Sequence, residues 1–337
     1  MDFNERLKRR NEFDASLVYG TKKFNELTGR KEHLDYRKNN DDMWLNTDTG
    51  VIHEKYAELR NCPLCDSNNY ITLFVKSGFP HVKCLNCQLV YVNPILNKNE
   101  YIKLCSAEDS WESILENEHQ MKMQALEANY SLDIVELYSK KTGKLRICDV
   151  GCGPGTLLLE AKKRNYDVFG IEPNERCHKF LKQNDLNFIG DFFPLKKDIN
   201  EKFDCMFLLN VLEHMRDPIQ TVKNAKSLLS DKGILYISVP CIDALVNRIL
   251  QKEAGVFGGH SHLQFFNHVT MTKFFEKLGI EVLEYETIIT ELGVIKNYLS
   301  FENPYFGDTN QSFDYLTPEM IYQYHLGRNI NITGRLI

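Results

Sequence analysis

Short apolar segments alternate with longer amphipathic segments between residues 143 and 302. LRICDV at 145–150 and GILYISVP at 233–240 are nearly continuous in apolar residues, which indicates buried strands. TLLLEAKKRN at 156–165 and TMTKFFEKLG at 270–279 instead repeat apolar residues at helical spacing. This alternation is typical of the α/β class, in which helices cover both faces of a doubly wound sheet. We therefore expect such a sheet over residues 143–302.

The rest of the chain lacks this alternation. Apolar residues at helical spacing, including Phe3, Leu7 and Phe13, indicate a helix near the N-terminus, and the stretch 111–141 has a helix-forming composition. We divide the chain into a polar or helical arm at 1–60, a cysteine-containing unit at 61–94, a helical linker at 95–142, the α/β domain at 143–302 and a tail or cap at 303–337.

Composition and charge narrow the class of protein. The chain has 337 residues, of which 43% are hydrophobic and 26% charged, as in an ordinary globular protein. Its net charge of -5 offers no basic surface that would favour nucleic acid or an anionic membrane. The N-terminal MDFNERLKRR has no apolar region of the kind found in secretory signals, and the longest apolar run, CMFLL at 205–209, is far shorter than the roughly 18 residues of a membrane span. We expect a cytoplasmic protein without a membrane or nucleic-acid partner.

Four of the ten cysteines form two C-x-x-C pairs, separated by 18 residues: Cys62, Cys65, Cys84 and Cys87. This spacing predicts a zinc ribbon, in which four thiolates hold one Zn²⁺ in a closed tetrahedral site. Because no ligand position remains for water, a structural zinc is favoured over a redox pair or a catalytic zinc. We expect zinc to stabilise this unit, which is too small to have its own core, and the glycine-rich turn of the α/β domain to lie in a separate core.

A glycine-rich turn follows the first strand of the α/β domain in ICDVGCGPG, which contains Asp149, Gly151, Gly153 and Gly155. Such turns let a nucleotide approach the backbone, and Glu172 ends the next strand where ribose hydroxyls would lie. The G-x-G-x-G spacing differs from the G-x-G-x-x-G of dinucleotide folds, which disfavours a nicotinamide cofactor. Asp149 and Glu172 are the acidic candidates for the cofactor site.

Several longer motifs carry a family resemblance: DVGCGPG, GIEP, FDCMFLLNVLEHMRDP, LLSDKGILYISVP and HLQFFNHVTMTKFFEKLG. Together they resemble the class I S-adenosylmethionine-dependent methyltransferases. The preceding CPLC and CLNCQLVYVNP resemble the zinc ribbon of a bacterial group that includes sugar C-methyltransferases and other enzymes of polysaccharide and natural-product sugar pathways. The resemblance covers about residues 60–300. It implies a Rossmann-like seven-stranded sheet, with S-adenosylmethionine bound over the carboxyl ends of the strands.

The same resemblance implies roles for individual residues. It places the three glycines of the turn beside the methionine part of the cofactor and Glu172 on its ribose. Asp191, after the third strand, would lie near the adenine. Asn210, at the end of the fourth strand, would face the sulfonium and the acceptor.

Two histidine motifs are candidates for the acceptor side. Glu213 and His214 follow the fourth strand, and the resemblance implies His214 as general base with Glu213 orienting it or contacting substrate. In some related enzymes the histidine only shapes the pocket. His260 and His262, in GGHSH, lie on a predicted loop where either could bind substrate, act as base or cap a neighbouring element. A metal at this second pair is disfavoured, because no carboxylate lies beside them in the sequence.

The expected function is methyl transfer to a small polar acceptor, most simply a sugar carried on a nucleotide. Long C-methylating relatives have a further C-terminal domain, whereas this chain stops at residue 337, so O- or N-methylation is at least as favoured as C-methylation. One alternative is an RNA-modifying enzyme whose ribbon grips RNA, but only Lys76 and Lys83 supply positive charge between residues 62 and 87. Another is a non-catalytic adapter that binds the cofactor.

Overall fold

The computed structural model of the chain describes residues 1–14, 17, 41–106, 117–139, 141, 143–195, 202–299 and 314–337. Its strands, numbered in chain order, are β1 (Ala57–Glu58), β2 (Tyr70–Lys76), β3 (Phe79–Cys84), β4 (Val90–Val92), β5 (Ile95–Leu96), β6 (Arg146–Val150), β7 (Asp167–Ile171), β8 (Asn187–Gly190), β9 (Phe203–Leu209), β10 (Leu229–Pro240), β11 (Gln264–Phe265), β12 (Ile280–Ile288) and β13 (Asn329–Leu336). Its α-helices are Phe3–Phe13, Lys98–Ser106, Glu118–Tyr138, Thr156–Lys163, Glu175–Gln183, Pro218–Leu228, Leu245–Leu250, His268–Lys277, Leu292–Leu299 and Pro318–Gln323. Among the described residues, no helix has both the length and the apolar character needed to cross a bilayer.

Seven of these strands form one sheet in the order β12-β13-β10-β9-β6-β7-β8. Five strands, β10, β9, β6, β7 and β8, run parallel to one another, whereas β13 is antiparallel to both β10 and β12. Helices such as Thr156–Lys163 and Glu175–Gln183 connect the parallel strands, because such strands need a crossover to reach the same direction. The predicted α/β class with a Rossmann-like, doubly wound seven-stranded sheet is confirmed.

The strand β13 comes from the segment that the sequence pattern assigns to a tail or cap. It lies inside the sheet and pairs with β10 on one side and β12 on the other. Asn329 and Asn331 are both buried there, and asparagines interrupt the apolar run by which a central strand is recognised. The α/β domain therefore extends beyond residue 302 and includes β13. Residues 303–313 of the predicted tail lie outside the described residues.

Apolar side chains cover both faces of the seven-stranded sheet. On one face, Ile147 and Tyr236 belong to a buried cluster that also contains residues of the helix Glu118–Tyr138. On the other face, Met206 and Ile237 belong to a second buried cluster. Along β10, Tyr236 enters the first cluster and the next residue, Ile237, enters the second, as the pleat of a strand requires.

Local capping signals fix where the covering helices begin. Asn174 accepts a hydrogen bond from the backbone N–H of Arg176 at the start of Glu175–Gln183. Asp217 caps Pro218–Leu228 in the same way, and Asn267 forms a reciprocal capping box with Thr270. Each cap satisfies an N–H group that has no partner within its helix.

The cysteine-containing unit forms a four-stranded sheet in the order β11-β4-β3-β2. The short strand β11 belongs to the α/β part of the chain, and its Gln264 and Phe265 pair with Tyr91 and Val90 of β4. The buried side chains of the unit also join those of the large sheet, so that Tyr91 and Ile237 belong to one cluster. The expectation of a separate core is therefore corrected, since the two sheets share apolar packing.

The helix Phe3–Phe13 confirms the element expected near the N-terminus. Arg10 is buried, donates to the carbonyl oxygen of Thr287 at 3.1 Å and lies 3.5 Å from the carboxylate of Glu286. Both partners belong to β12, so this charged contact attaches the arm to the sheet.

Candidate active site

The glycine turn lies at the carboxyl end of β6, and each of its three glycines has a positive φ: +72° for Gly151, +54° for Gly153 and +84° for Gly155. L-residues rarely adopt this region. A Cβ added to Gly151 would lie 2.6 Å from Val211, and one added to Gly155 would lie 2.5 Å from Leu186. A Cβ at Gly153 would meet nothing within 4 Å. The first and third glycines are therefore needed for packing, whereas the second faces open space.

Glu172 directly follows β7, and its side chain contacts this turn. Its two carboxylate oxygens accept hydrogen bonds from the backbone N–H groups of Gly153 at 2.7 Å and Asn174 at 2.8 Å. Burial raises the pKa of Glu172, although these two donors oppose the rise. Asp149 is also buried and its Oδ1 has no hydrogen-bond partner in the described structure. Burial, and secondarily the charge of Glu172, raises the pKa of Asp149.

The residues predicted to face the adenine and the sulfonium lie at the same edge of the sheet. Asp191 is exposed directly after β8. Asn210 follows β9 with a φ of +55°, and its backbone N–H donates to the carbonyl of Ser238 at 2.8 Å. The side-chain amide of Asn329 donates to Oδ1 of Asn210 at 2.7 Å. Asn329 of β13 thus orients Asn210, which is predicted to bind the cofactor, although β13 lies outside the segment that contains the sequence motifs.

Glu213 and His214 lie on a short 3₁₀ turn, Leu212–His214, just beyond β9. The ring of His214 is directed by its Nδ1, which lies 2.9 Å from the carbonyl oxygen of Ser261. Because a carbonyl only accepts, this contact assigns the proton to Nδ1 and leaves Nε2 as the basic nitrogen. Nε2 lies 3.8 Å from Oε1 of Glu213. The hydroxyl of Tyr101 donates to the backbone carbonyl of His214.

The carboxyl group of Glu213 is shielded from water. Its side chain is 1% exposed, and neither oxygen has a hydrogen-bond partner among the described residues. Burial raises the pKa of Glu213 to about 8. At neutral pH the group is therefore mostly protonated and can donate a hydrogen bond.

His262 joins this pair, as its ring centroid lies 4.8 Å from that of His214. Its Nδ1 lies 2.8 Å from the carbonyl oxygen of Val256, which directs Nε2 away from that carbonyl. One ligand atom from each of Glu213, His214 and His262 lies within 4.8 Å of the others, so the three could hold a metal ion. The sequence argument against a metal here is corrected, because the fold brings a carboxylate beside His262.

His260 has different surroundings from His262. It is 2% exposed, and its ring lies 5.9 Å from that of Trp44 and 6.2 Å from that of Phe79. These aromatic contacts place it in the packing between the arm and the ribbon. The structure does not group it with Glu213 and His214.

The four predicted zinc ligands come together at one end of the ribbon, with one Sγ from each within 4.8 Å of the others. The Sγ atoms of Cys62 and Cys87, and those of Cys65 and Cys84, are 3.5 Å apart. A tetrahedral site with Zn–S bonds of about 2.3 Å has edges of about 3.8 Å. Four sulfur donors at this separation fit a structural zinc.

The residues at the carboxyl ends of β6 and β7 also fit the expected cofactor. The unfilled space at Gly153, the buried unpartnered oxygen of Asp149 and the carboxylate of Glu172 lie around one turn. They offer acceptors for hydroxyl and ammonium groups beside an open backbone surface.

Two residues contribute to the site although no sequence motif predicts the role of their side chains. Gln264 contacts the backbone of the Glu213–His214 turn, and Asn329 contacts Asn210. Gln264 lies within the motif HLQFFNHVTMTKFFEKLG, but a role can be assigned to its side chain only because the structure places β11 beside the turn.

Comparisons with known proteins bear on the chemistry of this site. A protein family described as "Methyltransferase domain" matches residues 118–285. A ubiquinone biosynthesis O-methyltransferase of Coxiella burnetii is 28% identical over 205 residues, which cover 56% of this chain and 84% of that protein. Its counterpart in Actinobacillus pleuropneumoniae is 30% identical over 131 residues, covering 36% of this chain and 53% of that protein. The chain thus spans about half the length of the Actinobacillus relative.

Solved structures are also similar to the chain. The magnesium protoporphyrin IX methyltransferase of Synechocystis PCC 6803, with bound SAH, has a TM-score of 0.43 and 15% sequence identity over 65% of this chain and 87% of that chain. From the family match and the sheet order, the chain carries a class I S-adenosylmethionine-dependent methyltransferase domain.

Proposed function

We propose that this methyltransferase modifies a small polar acceptor whose reacting oxygen or carbon must lose a proton, and that the acceptor is a nucleotide-linked sugar. The observation that carries the proposal is the cluster of Glu213, His214 and His262 just beyond β9. At this edge of an open α/β sheet, ligands bind over the carboxyl ends of the strands.

S-adenosylmethionine, when bound, would supply the methyl group and be converted to S-adenosylhomocysteine. Asp149, Glu172 and the glycine turn would hold it, with Asp191 on the adenine side and Asn210 on the sulfonium side. His214 receives the acceptor proton on Nε2, because its Nδ1 proton is directed to Ser261. With its proton on His214, the acceptor oxygen or carbon would be the nucleophile for the methyl group.

Glu213 and His262 complete the acceptor site in this proposal. Protonated Glu213, whose Oε1 lies 3.8 Å from Nε2 of His214, donates a hydrogen bond to a polar group of the acceptor. His262 binds the acceptor beside His214, since a ring nitrogen of each lies within 4.8 Å of the other. His260, packed on Trp44, supports the loop that carries His262.

Two acceptors share the required chemistry. A nucleotide-linked sugar is supported by the resemblance of the zinc ribbon to that of sugar-pathway methyltransferases. An aromatic precursor of ubiquinone is supported by the names of the curated relatives. Both offer a hydroxyl group that loses a proton to a base.

The experiment that decides between them is a methyl-transfer assay with S-adenosylmethionine labelled in its methyl group. One panel contains nucleotide-linked sugars, and the other contains hydroxylated aromatic quinone precursors. Label transfer to a sugar supports the first acceptor, and transfer to an aromatic hydroxyl replaces it by the second. Cofactor binding without transfer to either panel would contradict both acceptors.

The base role is tested with His214→Gln, which keeps a polar side chain but removes the basic nitrogen. We expect turnover to fall by about 10²- to 10⁴-fold, the usual contribution of a positioned base. Calorimetric titration should show cofactor affinity close to that of the parent. The matched control is His53→Gln, on the segment before β1, which should keep normal turnover. Normal turnover in His214→Gln would transfer the base role to His262.

A further inference from the structure

A buried glutamine connects the zinc ribbon to the turn that carries Glu213 and His214. Gln264 is 1% exposed and lies in β11, which pairs with β4 of the ribbon. Its side-chain amide nitrogen donates to the carbonyl oxygens of Leu212 at 2.6 Å and Met215 at 2.9 Å. These two carbonyls lie directly before and after Glu213 and His214 in the chain.

The other end of the same amide contacts a buried arginine. Oε1 of Gln264 accepts from both terminal nitrogens of Arg60 at 3.4 Å. Arg60 also donates to the carbonyls of Val92 and Leu263. Because a guanidinium only donates and backbone carbonyls only accept, the Gln264 amide has one orientation that satisfies both ends.

Arg60 belongs to the ribbon side of this contact, since it precedes the first zinc ligand, Cys62, by two residues. Two backbone hydrogen bonds run along the same route: Val92 N–H to the Leu263 carbonyl at 2.9 Å, and Leu263 N–H to the Glu213 carbonyl at 2.8 Å. The ribbon therefore reaches the turn through side chain and backbone together.

The turn has little regular structure of its own to hold it. It is a single 3₁₀ turn, closed by backbone hydrogen bonds of 3.0 Å at His214 and 3.2 Å at Met215. A displacement of about 1 Å at a reacting group can lower a rate by about 10²-fold. Beside the contacts of His214 with Ser261 and Tyr101, the amide of Gln264 therefore helps to set the position of His214.

We propose that Gln264 is a positioning residue, and that the ribbon sets turnover by holding the Glu213–His214 turn through Arg60 and Gln264. This inference rests on the base role proposed for His214. It gives the zinc ribbon a function in catalysis that requires neither contact with substrate nor binding of nucleic acid.

The test uses two variants of Gln264. Gln264→Leu removes both the donor and the acceptor of the amide. Gln264→Glu keeps the shape of the side chain, but replaces the nitrogen that donates to two carbonyls by an oxygen that accepts. We expect kcat to fall by about 10- to 100-fold in both variants. Cofactor dissociation constants should stay within about twofold, with unchanged numbers of cofactor sites and zinc ions per chain. The matched controls are Gln220→Leu and Gln220→Glu, on the exposed side of the helix Pro218–Leu228.

Loss of activity by unfolding would give a different result, because kcat would then fall only in proportion to the lost cofactor sites or zinc. That result, or normal kcat in both Gln264 variants, would overturn the inference. The double variant Gln264→Leu with His214→Gln tests the route. If Gln264 acts through His214, the double variant loses no more activity than His214→Gln alone.

If the losses in kcat of the two single variants multiply in the double variant, Gln264 acts elsewhere. This result would also overturn the inference. The proposed function fails by a separate measurement, namely normal turnover in the single variant His214→Gln. Normal Gln264 variants together with an impaired His214→Gln would leave the proposed function in place and remove only the role of the ribbon.

Discussion

At the scale of single residues, Glu213 has a carboxyl group that is shielded from water and has no hydrogen-bond partner among the described residues. Burial raises its pKa from the usual 4.5 to about 8. Between these two pH values the folded protein holds a proton that the unfolded chain has released. Stability therefore falls as the pH rises through this range, and the loss is complete above about pH 8.

Glu213→Gln should remove this pH-dependent loss, because an amide has no charge to bury. At pH 9 we expect the variant to melt at least about 2 °C above the parent, which is the shift that about 1 kcal/mol gives in a domain of this size. The difference should shrink toward pH 5, and melting curves recorded by calorimetry at several pH values measure it. Exposed Glu253→Gln is the control, and parallel pH profiles for Glu213→Gln and the parent would contradict the assignment.

Glu172 supports a second prediction at this scale. Glu172→Ala removes the carboxylate expected to bind the ribose, so S-adenosylmethionine should bind more weakly by about 1 to 3 kcal/mol. Isothermal titration measures the change, and Glu276→Ala, on the exposed side of the helix His268–Lys277, should bind as the parent does. Affinity in Glu172→Ala equal to that of the parent would show that the ribose lies elsewhere.

At the scale of elements, the glycine turn predicts opposite results for two neighbouring substitutions. Gly155→Ala should lower the melting temperature, because its Cβ would lie 2.5 Å from Leu186 at a positive φ. Gly153→Ala meets no atom within 4 Å, so its effect on stability should be limited to backbone strain of about 1 kcal/mol. Among folded molecules, Gly153→Ala should nevertheless weaken cofactor binding more than Gly155→Ala does. Equal stability losses in the two variants would contradict this division of roles.

Elements with a simple apolar pattern could be predicted from the sequence, and those that depend on distant partners could not. The predicted strands LRICDV and GILYISVP match β6 and β10, since each has enough consecutive apolar residues. The strand β13 was not predicted, because its buried Asn329 and Asn331 resemble loop residues until the neighbouring strands are known.

The candidate site shows the same limit. Cysteine spacing and the glycine turn involve residues close in sequence, and the structure brings each set together. The contact of Gln264 with the backbone of the Glu213–His214 turn joins residues about 50 positions apart. Side-chain roles of this kind follow from tertiary packing, which no local pattern encodes.

At the scale of the whole molecule, the shared core predicts how loss of zinc acts. Cys84→Ser should lower the zinc content below the one ion per chain expected for the parent, as measured by metal analysis. Because Cys84 and Ile237 of β10 belong to one buried cluster, the melting transition of the entire chain should shift rather than split into two. An unchanged main transition beside a new low-temperature one would show that the ribbon unfolds alone.

The position of β13 also determines the order in which the protein can be completed during synthesis. This strand is translated after every other strand of the large sheet, yet it separates β10 from β12. Until it leaves the ribosome, β10 and β12 each present an open edge with unpaired backbone groups. The nascent chain therefore carries two sites for strand pairing with other chains, and a chaperone that shields them should raise the yield of native enzyme.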